Sequence, residues 1–157
     1  MSSSHINESG QASMVDVTDK LPTRRTALAS ARVFLPDEVL GCVKGGDILT
    51  AKGAVFQLAR IAGVYASKMT GHLIPLCHPL PLDYCNVEIE LSGSIAVIEA
   101  EVRTTAKTGV EMEALHAAST AALTIYDMCK SMGHGIVISE IRLLKKTGGK
   151  LDYHAEG

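Results

Sequence analysis

An α+β fold is predicted here, an antiparallel sheet with helices packed on one face in a ferredoxin-like sandwich, and three observations predict it. Two runs with alternating apolar residues, Tyr84–Leu91 and Ile95–Thr105, flank Ser92-Gly93-Ser94 and read as a β-hairpin. Lys107–Met132 is the longest helix-compatible stretch. The order strand, helix pair, two strands, helix, strand then suits a two-layer sandwich whose open sheet face would need cover.

Taken in order, residues 1–20 form a polar, flexible N-terminal segment in which Met14-Val15-Asp16-Val17 is an apolar patch suited to anchoring it. It lacks the basic-then-apolar order of a signal peptide. Residues 21–150 make one α+β domain, and residues 151–157 a mobile tail. Thr26–Leu35 suits a first strand; Pro36 punctuates, and Asp37–Lys44 fits a short helix ended by Gly45 and Gly46. A longer helix is expected from about Thr50 to Thr70, stopped at Gly71, with Val55, Leu58, Ala59, Ala62, Ala66 and Met69 as its apolar face. Ile74–Leu82 cannot continue it, because Pro75, Pro79 and Pro81 remove donors and stiffen the backbone.

The hairpin follows, and then the central helix. Thr108 and Glu111 have the spacing of a capping box, so that helix should start beyond Thr108. Glu111, Leu115, Ala118, Ala122, Ile125 and Cys129 form its core stripe, and Glu113, His116, Thr120, Thr124 and Asp127 its opposite side. The abundance of alanine lets another backbone or subunit come close, so the polar side could be buried in an interface. Gly135–Leu144 makes the last strand, with Lys145 onward as mobile chain.

Composition bounds the function. With 157 residues there is room for one proper core. A net charge of −2, two Phe, four Tyr and no Trp argue against a nucleic-acid surface. No apolar run approaches a bilayer span. Cys42, Cys77, Cys85 and Cys129 form no paired motif and read as reduced cysteines of a cytosolic protein. An apolar fraction of 46% hints at oligomerisation.

Several residues could carry chemistry. Asp127 and Lys130 sit at i and i+3 and can meet on one helix face. Spacing alone favours an ordinary surface ion pair over an acid/base pair, in which a partly desolvated lysine titrates nearer neutrality. Glu111 is accounted for by the cap, whereas Glu113 has no structural task. Glu113 and Asp127 would lie about 21 Å apart on a continuous helix, too far for one carboxylate dyad. His78 is more simply a hydrogen-bonded structural group, although the proline frame would hold its imidazole in a fixed position. Cys77, His78 and Cys85 lack the close ligand pair of a zinc site. Basic residues recur beside glycine, at Lys52-Gly53, Lys107-Thr108-Gly109 and Lys145-Lys146-Thr147-Gly148-Gly149-Lys150. None is a P-loop, yet together they suit a phosphorylated small molecule.

HINESG from His5, MVDV from Met14, ARIAG (Ala59–Gly63), LIPLCHPL (Leu73–Leu80), KTGVEMEAL (Lys107–Leu115), ALTIYDMCK (Ala122–Lys130) and the terminal GGK resemble the cyclic pyranopterin monophosphate synthase family of molybdenum-cofactor biosynthesis. The match runs from about His5 to Lys150. The resemblance implies a ferredoxin-like fold assembled as a homohexamer, a trimer of dimers with sites at subunit interfaces. It implies a cytoplasmic, pyrophosphate-releasing lyase that converts (8S)-3′,8-cyclo-7,8-dihydroguanosine 5′-triphosphate into cyclic pyranopterin monophosphate. No cofactor is required, and whether Mg²⁺ accompanies the triphosphate stays open. By motif, Asp127 and Lys130 become catalytic, and Leu76, Cys77, His78, Met112 and Glu113 substrate-binding. Lys52 and Lys146 fall on further basic residues of the family's site, and together with Arg25 they are expected to hold the triphosphate. The alternative is a non-catalytic oligomeric module that binds a nucleotide or metal.

Overall fold

Alternation of small apolar and larger residues sets Thr23–Phe34 as the central strand, β1, of the computed structural model, which describes residues 9–156. His5–Glu8 of the HINESG motif lie outside the described residues. Ala27, Ala29, Ala31 and Val33 of β1 are fully buried, while Leu28, Arg32 and Phe34 point to the opposite face. The remaining elements are α1 (Asp37–Leu40), β2 (Val43–Lys44), β3 (Asp47–Thr50), β4 (Gly53–Ala54), α2 (Val55–Leu73), β5 (Tyr84–Ser92), β6 (Ile95–Ala106), α3 (Glu111–Cys129), β7 (Val137–Thr147) and β8 (Tyr153–His154). The main sheet is antiparallel in the order β5-β6-β1-β7-β8, and β2-β3-β4 form a small second sheet. Helices α2 and α3 cover one face of the main sheet, the expected α+β sandwich. None of the described helices is long and apolar enough to cross a membrane.

The hairpin forms as read, with Ser92 paired to Ile95 and Gly93 turning at φ +60°. The helix starting at Asp37 is shorter than expected. Chain after Leu40 pairs as β2 with β3, and Gly45-Gly46, both at positive φ, make the turn between them. Helix α2 starts at Val55, not Thr50, because Thr50 belongs to β3 and Gly53–Ala54 to β4. Ala54 has no side-chain oxygen to cap it. The Asp47 carboxylate does so from β3, accepting the N–H of Phe56 at 2.7 Å and of Gln57 at 3.1 Å.

Gly71 does not stop α2, which runs on to Leu73. Its role is close approach: a Cβ there would lie 2.8 Å from Pro79 Cα. Leu58 leaves the expected apolar face and is exposed, in line with Ile61 and Tyr65, because the buried line runs through Val55, Phe56, Ala59, Gly63, Ala66, Ser67 and Thr70. Gly63 explains the alanines of α3. A Cβ at 63 would sit 2.9 Å from the Ala117 carbonyl oxygen, so glycine lets the two helices pack nearly backbone to backbone.

Helix α3 spans Glu111–Cys129 without a break, but the capping box is not made: Val110 is the N-cap and no side chain among the described residues caps it. Glu111 instead pairs with Lys146 Nζ at 3.0 Å, a cation drawn from β7. Glu113 is buried, contrary to its expected outward place, because α2 and the connector after it cover that side of the helix. The last strand is longer than Gly135–Leu144. Strand β7 reaches Thr147, and β8 pairs with it through Lys145–His154 and Lys146–Tyr153.

Candidate functional site

Five pieces of chain meet at the N-terminal end of α3: Lys20-Leu21 of the N-terminal segment, the start of β1, the loop Lys107–Val110, the proline-framed connector, and the end of β7 with its Gly148-Gly149 turn. They enclose two adjoining cavities. The larger, about 600 Å³, is lined by Lys20, Arg25, Lys107, Lys146 and Lys150, among others. The smaller, about 260 Å³, is lined by Leu76, Cys77, His78, Leu80, Met112 and Glu113. Thr108, Gly109 and Glu111 line both and join them into one elongated cleft.

The cationic end is held by the backbone. Arg25 donates from Nε to the Ala106 carbonyl (3.4 Å) and from Nη2 to the Lys107 carbonyl (3.3 Å). The turn beyond β7 needs its glycines. Gly148 has φ +83°, a Cβ on it would overlap the Arg24 carbonyl, and one on Gly149 would reach 2.9 Å from Arg25 Nη1. Thr23 Oγ1 donates to the Gly148 carbonyl at 2.8 Å, tying this turn to β1. Lys146 is oriented by Glu111, and both are only part-exposed.

At the other end, Glu113 has no ion-pair partner among the described residues. Burial pushes its carboxyl up to about 7, and the neighbouring Glu111 charge adds to that against its own backbone N–H. Burial likewise raises the Cys77 thiol, with Glu113 contributing. His78 Nε2 donates to the Val15 carbonyl at 2.8 Å, so the imidazole does have a structural bond, to the N-terminal segment. Cys77, His78 and Cys85 are not gathered as a metal site, and no group of three or more metal-ligating side chains of His, Cys, Asp or Glu occurs among the described residues.

Asp127, Lys130 and Lys52 lie elsewhere, at the C-terminal end of α3. Lys130 Nζ donates to Asp127 Oδ1 at 2.7 Å, and both side chains are exposed. The Lys130 hydrogen bond and charge hold the Asp127 carboxyl below its usual range, with Lys52 contributing. Asp127 in turn raises the Lys130 ammonium. In the single chain, this is opposite to a lysine shifted towards neutrality, since little burial opposes the pairing. The continuous helix keeps Glu113 and Asp127 about 21 Å apart.

Within one chain the structure therefore brings together Leu76, Cys77, His78, Met112 and Glu113, sets Arg25 and Lys146 beside them, and leaves Asp127, Lys130 and Lys52 apart. Sequence reading missed Glu111 as the holder of Lys146 and Lys20 as a lining residue. The Lys107-Thr108-Gly109 signal was visible, but not its place at the junction of two cavities.

The MoaC family matches residues 14–149. Relatives named cyclic pyranopterin monophosphate synthase include that of Heliobacterium modesticaldum, 51% identical over 152 residues, covering 96% of this chain and 94% of that protein. The protein of that name from Thermoanaerobacter sp. (strain X514) is 48% identical, covering 96% and 95%. The one from Xanthomonas campestris pv. campestris is 47% identical, covering 96% and 92%.

Proposed function

The chain belongs to the MoaC family, and from that premise we propose that it is a cyclic pyranopterin monophosphate synthase of molybdenum-cofactor biosynthesis. Its substrate is (8S)-3′,8-cyclo-7,8-dihydroguanosine 5′-triphosphate, and its products are cyclic pyranopterin monophosphate and pyrophosphate, which makes it a lyase. The observation that carries this reading is the two-ended cleft. A polycationic lobe suits the triphosphate, and the adjoining small lobe, with a buried carboxyl, suits a nitrogen-rich heterocycle.

In this reading Arg25 and Lys146 hold the phosphates and stabilise the charge that develops as pyrophosphate leaves. Glu113, with a carboxyl near 7, is present in both protonation states at neutral pH and can donate to or accept from the guanine-derived edge. Leu76 and Met112 wall the heterocycle, with Cys77 and His78 at its edge.

Asp127, Lys130 and Lys52 enter from a neighbouring chain of a homohexamer, a trimer of dimers. That answers the 21 Å problem, since about that distance on one helix can separate residues serving two different sites. Burial in such an interface would oppose the effect of Asp127 and bring the Lys130 ammonium down towards a proton-transferring range. Lys130, oriented by Asp127, then shuttles protons as the five-membered ring opens and the pterin forms, with no covalent enzyme intermediate. No cofactor is required, and any Mg²⁺ would arrive with the triphosphate. The enzyme works in the cytoplasm.

The exposure of Asp127 and Lys130 in the single chain favours one rival, a nucleotide-binding module without chemistry. A turnover assay separates the two. The radical-cyclisation product is given to wild type and to Lys130→Ala, and pterin and pyrophosphate are both measured. Joint formation by wild type and loss in the variant is expected; binding by both without turnover would leave the module.

A further inference from the structure

The segment Val15–Leu21 is held against the cleft by polar ties, with Val15 and Val17 half-buried and its other residues exposed. His78, from the small cavity, donates to the Val15 carbonyl at 2.8 Å. Lys107, from the large one, donates through Nζ to the Thr18 carbonyl at 2.7 Å. Between these ties the Asp16 carboxylate accepts the Thr18 N–H at 2.8 Å and the Thr18 hydroxyl at 2.6 Å. The Lys20 N–H then closes a turn onto the Val17 carbonyl at 3.1 Å. The segment delivers Lys20 and Leu21 to the wall of the large cavity.

A lysine ammonium has three donors. One on the Thr18 carbonyl fixes Lys107 and leaves two for an anion. We infer that Val15–Leu21 is a working part of the polyanion site: through Thr18 it presets Lys107, and through Lys20 it adds a further cation for the ligand's phosphates. This rests on the polyphosphate reading above and names residues that the reading does not use.

Asp16 makes the inference testable by sign. Its carboxylate lies near Lys107. On charge alone, removing it should strengthen anion binding. If its role is to shape the segment, Asp16→Ala should weaken binding, because Thr18 loses both bonds. Asp16→Asn, which keeps an acceptor and drops the charge, should bind at least as tightly as wild type.

Calorimetric titration with inorganic triphosphate, on the full-length chain at fixed low salt, is the experiment. Asp16→Ala is expected to bind about threefold weaker, and Lys20→Ala about fivefold weaker, the scale of one net hydrogen bond at a solvent-exposed site. Hydrogen exchange at residues 15–21 should slow when triphosphate is added. Asp16→Ala binding as tightly as Asp16→Asn, or Lys20→Ala at wild-type affinity, would overturn the inference. So would a wild-type protein that binds no triphosphate. The turnover assay on the cyclised nucleotide tests the synthase reading separately, so either can fail alone.

Discussion

The two ends of α3 carry similar residue types under opposite electrostatics. At its N-terminal end Glu113 is buried without an ion-pair partner among the described residues, and loss of water raises its carboxyl to about 7. At its C-terminal end Asp127 is exposed beside Lys130, and pairing lowers its carboxyl while raising the ammonium. One end is a carboxyl that the fold buries by itself, in a cleft made by five pieces of the same chain. The other is an ion pair whose proposed chemistry requires something outside the chain to strip its water. Helix position decides nothing here; what packs over each carboxylate does.

The sharpest way to break this contrast is Lys130→Ala. On the proposed function it should lower turnover at least about a hundredfold, the usual worth of a positioned proton-transfer group, while inorganic triphosphate still binds. Equal loss of turnover and triphosphate affinity would make the C-terminal end a binding element instead.

Next comes the packing on which the buried end depends. Gly63→Val puts a branched side chain where even a Cβ meets the Ala117 carbonyl oxygen and Val87. It should cost about 2–3 kcal/mol in urea unfolding through overpacking. It should also open the Glu113 environment, returning that carboxyl towards the ordinary range in a carbon-13 titration.

Glu113→Gln tests the effect of burial itself. The folded carboxyl, raised above its ordinary value of 4.5 to about 7, binds more protons than the unfolded chain across that window. Wild-type stability should therefore fall as pH rises from about 4.5 to 7 and level off above it. Between pH 5 and 8 the glutamine variant should lose about 2 kcal/mol less than wild type, read from urea midpoints. The smallest effect belongs to Asp127→Asn: at protein concentrations low enough to dissociate any oligomer, its stability in urea at neutral pH should fall by no more than about 1 kcal/mol, because the pair is solvent-screened in the single chain. Its contribution, being that of a lowered carboxyl, should be present above the ordinary aspartate range and fade as pH falls through the folded value.

How much of this could be read from sequence divides along the same line. Period-two alternation located β1, β5 and β6, and period 3.6 located α3, because those patterns record local burial. What escaped was set by partners distant in the chain. The start of α2 depends on Asp47, eight residues before it and in another element. Thr108 and Glu111 have the spacing of a cap, but a lysine thirty-five residues on takes the carboxylate. Gly71 reads as a stop and works as a gap for Pro79. For the site, residue types and the basic-glycine clusters suggested a phosphorylated ligand, and the resemblance supplied candidate roles. The division of those candidates between two ends of one helix depends on α2 and the connector covering only one of them.

The Asp47 cap has a consequence for the order of assembly. A helix normally carries its own start signal in the preceding residue and can begin to wind before it docks. Helix α2 does not, so the amides of Phe56 and Gln57 gain their acceptor only once β3 has been laid beside them. The small β2-β3-β4 sheet thus splints the first turn of α2, and the two are expected to form and open together as one cooperative unit.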